Sequence, residues 1–182
     1  MSFLTKKLHF IIIILCISNQ IMAQGGSSWN EHNRGGFTFQ LPLEPLIIDT
    51  LETVLFGCEV DTLLSLQVHL FKDARFNPDE PVFLEALNKE ENDTLRAIAS
   101  IFLLATNSEL TELVQITTNE VKGISLGIKY LTLASNEPYF TFVRYYLYEG
   151  RFMSFTVTSA ESDLERGVEF KNVFFNSINI IQ

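Results

Sequence analysis

Few residues in the chain have the types and spacing that chemistry requires. Gly123-Ile124-Ser125-Leu126-Gly127 matches the G-x-S-x-G nucleophile elbow. That motif works when a strand ends in a strained turn and a following helix lifts the serine into the open. Here Ile128, Tyr130, Leu131 and Leu133 follow, and they read as strand. In that hydrolase order the acid and the histidine come after the serine, yet His9, His32 and His69 all precede it. A serine with no histidine to take its proton is a poor nucleophile. The two glycines are expected instead to shape a bulge or a tight start to a strand.

Metal chemistry has no better footing. His32, His69 and Cys58 stand at no ligand spacing. The carboxylates Glu59 and Asp61, Asp79 and Glu80, and Glu90, Glu91 and Asp93 form no D-x-D-x-D-G loop and read as solvated turns and helix faces. His69 lies opposite the apolar row of its strand and is expected to be a hydrogen-bonded histidine under a loop or helix. Cys58, among Leu55, Phe56 and Val60, reads as a small buried hydrophobe. There is no phosphate loop and no dinucleotide glycine pattern, so neither cofactor nor metal is expected. The remaining group is aromatic and basic: Tyr139, Arg144, Tyr145, Tyr146, Tyr148 and Arg151. Such residues are enriched in binding hot spots and are also common cross-strand pairs. Tyr148, Arg151, Arg144 and Tyr146 are the candidate partner-binding residues.

These side chains must be positioned by strands. Phe37, Phe39 and Leu41 alternate with polar residues until Pro42, and Thr50 to Phe56 is β-prone. Leu64, Leu66, Val68 and Leu70 point one way while Ser65, Gln67 and His69 point the other. Pro81 opens a helix with Val82, Phe83, Ala86 and Leu87 on its apolar stripe, and Asp93 caps a second helix running to Ala105. Four strands follow, over about 113–121, 124–133, 139–148 and 151–158. A two-residue Glu149-Gly150 turn would pair Leu147 with Phe152 and Tyr146 with Met153. One sheet face then collects Phe142, Tyr146, Met153, Phe155 and Val157, and the other Tyr139, Val143, Tyr145, Leu147 and Phe152. Both faces are apolar and need covering. Ser162-Asp163-Leu164-Glu165 reads as a capping box for a last helix, and a short strand over 177–181 ends the chain. The fold class is α+β with a mainly antiparallel sheet.

The first segment is an address. Lys6 and Lys7 precede an apolar run from Leu8 to Ile17, and Ala23 offers a small residue for cleavage, so residues 1–23 read as a signal peptide. The apolar run is about half of what a spanning helix needs. Residues 24–36, rich in Gly, Ser and Asn, read as a linker, and 37–182 as a single domain. Cleavage would remove Cys16 and leave one cysteine, so packing and not an internal disulfide must hold the domain. Loss of Lys6 and Lys7 leaves 11 basic against 22 acidic residues, a net charge of −11. That charge repels phosphate backbones and anionic lipid, which excludes nucleic acid and stable membrane association as expected partners.

Four stretches carry a resemblance: Phe37-Thr38-Phe39-Gln40-Leu41-Pro42, Lys122-Gly123-Ile124-Ser125-Leu126-Gly127, the hairpin Arg144-Tyr145-Tyr146-Leu147-Tyr148-Glu149-Gly150-Arg151-Phe152, and Val173-Phe174-Phe175-Asn176-Ser177-Ile178. In this layout the chain from about Phe37 to Ile181 resembles the PsbP-like group. The group includes the extrinsic photosystem II protein, the Ran-binding Mog proteins and envelope proteins such as DcrB. The apolar segment Ile98–Ala105 departs from the group's pattern. The resemblance implies an α-β-α sandwich and a mostly non-catalytic, accessory or binding role, with no shared catalytic residue to carry over. The expected function is therefore an exported, non-catalytic binding protein of the cell envelope, periplasmic or extracellular, with a protein partner. The alternatives are a carrier for a small apolar ligand, motivated by the 16 phenylalanines, and a hydrolase built on Ser125.

Overall fold

The clean alternation of Leu64, Leu66, Val68 and Leu70 places all four side chains in one core, with none more than 6% exposed. That strand is central to a seven-stranded sheet. The computed structural model describes residues 29–72, 108–131, 137–149 and 151–181. In chain order the strands are β1 (Asn30–Arg34), β2 (Phe37–Leu41), β3 (Leu46–Asp49), β4 (Thr53–Glu59), β5 (Leu64–Phe71), β6 (Glu109–Thr118), β7 (Val121–Leu131), β8 (Pro138–Tyr148), β9 (Arg151–Ala160) and β10 (Asn179–Ile180). A 3-10 turn over Glu161–Asp163 leads into helix α1 (Leu164–Ser177). The large sheet runs β3-β4-β5-β9-β8-β7-β6 with every pair antiparallel, and a smaller sheet runs β1-β2-β10.

The β8–β9 hairpin has the expected register. Tyr148 pairs with Arg151, Leu147 with Phe152 and Tyr146 with Met153, across a two-residue connection in which Glu149 takes φ 50°. The two faces follow from this pairing. On the first, Phe142, Tyr146, Met153, Phe155 and Val157 join Phe56 and Val68 in one core cluster. Phe37, Phe39 and Leu41 of β2 and Phe174 and Phe175 of α1 close that cluster from above. Phe155 is its hub, with ring centroids 5.8 Å from Phe37, 5.7 Å from Phe39, 5.9 Å from Tyr146 and 6.0 Å from Phe174. The layer over this face is thus half helix and half sheet. The fold shown is a mainly antiparallel sheet with one C-terminal helix among the described residues. The helices expected over 81–87 and 93–105 lie outside them.

Three local expectations are corrected. Residues 30–34, read as linker, form β1, because β2 offers that polar segment a full set of backbone partners from Asn30–Leu41 to Arg34–Phe37. Gly35 and Gly36 make the turn at φ 62° and 83°. Trp29 docks on Phe170 at 5.5 Å, so the domain begins before Phe37. The capping box does not form: Ser162 sits in the 3-10 turn, where its N–H donates to Glu137 Oε1 at 2.7 Å. Instead the buried Ser159 hydroxyl donates to the Asp163 carbonyl at 3.1 Å and ties β9 to the start of α1. At the far end Ser177 Oγ accepts the Gln40 N–H at 2.9 Å and donates to the Phe174 carbonyl at 2.6 Å, pinning α1 to β2.

Candidate functional site

The hairpin residues singled out by the sequence come together on one face, but that face is the core. Arg144, Tyr146 and Tyr148 share it with Arg151, since strand side chains alternate. Tyr146 is fully buried, and its hydroxyl is 2.8 Å from Thr118 Oγ1. It cannot touch a partner without unfolding and leaves the candidate binding set. The Arg144 guanidinium lies 4.7 Å over the Phe175 ring and donates to the Phe175 carbonyl at 3.0 Å. Its Nε is buried without a hydrogen-bond partner. Arg144 therefore holds the C-terminal turn of α1, where a cation also complements the helix dipole. Tyr148 is half-buried, edge-on to Phe37 at 6.0 Å. Of the four, Arg151 alone is exposed.

Ser125 stands in the middle of β7, opposite Arg144, and not at a strand-to-helix turn. It is 4% exposed and donates to Glu112 Oε1 at 2.8 Å. The other oxygen of Glu112 is 3.5 Å from Lys171 Nζ, which also lies 4.5 Å over the Phe142 ring. This chain of contacts fastens α1 to the sheet. The nucleophile-elbow geometry is absent here, because a mid-strand serine is flanked by ladder partners on both sides. The flanking glycines serve packing. A Cβ at Gly123 would lie 2.5 Å from the Tyr145 carbonyl. One at Gly127 would lie 2.6 Å from Thr111 Oγ1, at the β-bulge between Leu110 and Glu112.

The other titratable groups divide between structural pairs and buried singles. Burial would raise the Asp61 carboxyl, but the Arg166 guanidinium and the amides of Leu63 and Leu64 together hold it below the usual range. Arg166 bridges Asp61 and Asp163, so the loop before β5 is tied to the first turn of α1. Burial pushes the Cys58 thiol up to about 11, which makes it inert at neutral pH. His69 lies on the second sheet face, 4.3 Å from Phe71, and burial lowers it to about 4. Its Nε2 has no hydrogen-bond partner, which corrects the expectation of a hydrogen-bonded histidine. Tyr145 shares that face, stacked 5.3 Å from Phe152, and burial raises its phenol. Among the described residues no three His, Cys, Asp or Glu side chains converge on a metal-sized point. The acidic residues between Asp79 and Asp93 lie outside the described residues.

Sequence reasoning missed the most exposed apolar surface. Every residue of β3 is exposed, and Leu51 just beyond it is 97% exposed. Beside β3 a shallow hollow of about 220 Å³ opens between the two sheets, lined by Glu31, His32, Arg34, Ile47 and Phe56. The signal was the apolar run Leu46-Ile47-Ile48 between Pro45 and Asp49, too short to stand out beside the longer strands.

No family model and no curated protein matches the chain. Solved structures do. Cyanobacterial PsbP (CyanoP) from Synechocystis sp. PCC 6803 superposes with a TM-score of 0.59 at 12% identity, covering 90% of this chain and 99% of that one. LpqN of Mycobacterium tuberculosis, involved in cell envelope biogenesis, gives a TM-score of 0.44 at 8% identity over 88% and 87% of the two chains. The opening strand, the antiparallel meander and the C-terminal helix thus build a PsbP-like fold.

Proposed function

We propose that this protein is an exported, non-catalytic accessory protein of the cell envelope that works by binding another protein. The observation that carries the reading is the fate of the reactive side chains. Ser125, Cys58, Tyr146 and Arg144 are consumed by packing, while Leu46, Ile47, Ile48 and Leu51 form a contiguous run of exposed apolar side chains at one sheet edge. The PsbP-like fold and the leader-like residues 1–23 support the same reading. The 16 phenylalanines motivated an apolar-ligand carrier, but in the first core they fill space against one another. The hollow beside β3 is lined by Glu31, His32 and Arg34, a poor match for hydrocarbon.

Photo-crosslinking in cells, followed by purification from the envelope fraction, is expected to yield one specific protein adduct. Recovery of the unadducted chain alone, at crosslinker densities that cover its surface, would overturn the reading. Mass spectrometry of the exported chain is expected to show loss of about the first 23 residues.

A further inference from the structure

The two edges of the large sheet are built differently. Edge strands expose unpaired N–H and C=O groups, and proteins blunt them with short length, charges, prolines or bulges. β6 has such devices: Glu109 and Glu112 lie on the strand and a bulge interrupts its ladder between Leu110 and Glu112. β3 is only four residues long and Pro45 precedes it, but no bulge interrupts its ladder, and among the described residues no strand pairs with its outer side. Leu46, Ile47 and Ile48 are 51%, 46% and 37% exposed. The one charge in the strand, Asp49, is neutralised by Lys72.

We propose that the outer edge of β3 receives an extended segment of the protein partner, apolar at its centre and basic at both ends, as an eighth strand of the large sheet. This rests on the protein-binding reading above and names its site. In strand addition the main-chain hydrogen bonds supply affinity and pockets for alternate side chains supply specificity. The hollow lies on the Ile47 side of the edge, so alternate side chains of the incoming strand reach it. There His32 stacks 5.7 Å from Phe39, with its Nε2 buried and unpartnered. A side chain with an apolar stem and a polar tip suits that wall.

Charge selects the occupant. Glu44 precedes the strand and Glu52 follows it, both exposed and neither in an ion pair among the described residues. Lys72, whose amide donates to the Glu52 carbonyl, places its ammonium on Asp49 and the Thr50 carbonyl, and Glu31 lies at the hollow beside Arg34. Basic ends complement this frame. A second copy does not: antiparallel self-pairing with Ile48 opposite Ile48 sets Glu44 of one copy opposite Glu52 of the other. Like charges so placed oppose association.

The test uses two fluorescein-labelled peptides with the same alternating valine–threonine centre, one with lysine pairs at its ends and one with glutamate pairs. Anisotropy with the purified protein is expected to show at least tenfold tighter binding of the lysine-ended peptide. Ile47→Lys is expected to abolish that binding, and Val114→Lys on β6 to leave it intact, with both variants melting like the parent. Equal binding of the two peptides to the parent overturns the proposal without any variant. So does unchanged binding to Ile47→Lys, or a dimer in sedimentation that Ile47→Lys dissolves. Crosslinking separates this proposal from its parent. An adduct retained by Ile47→Lys sinks the edge but keeps the binding function, whereas no adduct from either protein sinks the binding function itself.

Discussion

The two faces of the seven-stranded sheet differ in scale and in what they bury: among the described residues the cluster under β2 and α1 is far larger than the one around Ile124, Leu126 and Phe152 on the other face. On the face under β2 and α1, the hydroxyls of Tyr146, Ser125 and Ser159 have partners at 2.8 Å, 2.8 Å and 3.1 Å, while Arg144 Nε and His32 Nε2 are buried without one. On the other face His69 Nε2 is buried without one, close to Leu55 on β4 and Ser154 on β9. A paired polar group contributes little net energy but fixes geometry, whereas an unpaired titratable group makes stability depend on proton concentration. The first face is therefore the mechanical core, and His69 gives the second an acid-sensitive contribution.

The largest expected effect breaks the first face. Phe155→Ala removes the ring that four other aromatic rings surround. Such truncations cost about 3–5 kcal/mol, comparable with the whole stability of many domains. Urea unfolding is expected to show a midpoint near zero denaturant or no cooperative transition. A shift below about 1 kcal/mol would mean that the hub is not a hub.

The next effect tests the second face. Above pH 6.5 His69 is neutral in both states and contributes no slope. Between 6.5 and about 4 the unfolded chain takes up the proton and the native chain does not, so stability falls as pH falls. The complete drop is about 3 kcal/mol. His69→Leu, neutral at every pH, is expected to flatten the curve over that window. The loss of the Asp61 contribution below the ordinary carboxylate range would remain, because that carboxyl is held low by Arg166. An unchanged slope between pH 6.5 and 4 in His69→Leu would remove the distinction between the faces.

Much of this layout was legible from alternation alone. A two-residue turn leaves one register, so Leu147–Phe152 and Tyr146–Met153 followed from counting, and with them the membership of both faces. Pro42 ended β2 where expected. What alternation could not convey was depth. It placed Tyr146 and Arg144 on the same face as Arg151, but not that β2 and α1 would close over the first two. β1 was invisible because Asn30–Arg34 has no apolar pattern, and its pairing is supplied entirely by β2. β3 was missed for the reverse reason, being apolar but only four residues long.

The smallest effect sharpens the comparison most directly. Tyr146→Phe removes one oxygen from the core and leaves Thr118 Oγ1 without the partner it had at 2.8 Å. An unsatisfied hydroxyl in a part-buried site costs about 1 kcal/mol. Adding Thr118→Val replaces both partners by apolar groups of similar shape, and the double variant is expected to recover most of that loss. Thermal melts at pH 7 and pH 5 would read both quantities. Each Tyr146 variant should lose the same amount at the two pH values, while the parent and both variants share the His69 slope. A Tyr146→Phe loss that grew with acid would place a proton-linked group in the first face and erase the division of labour between the two.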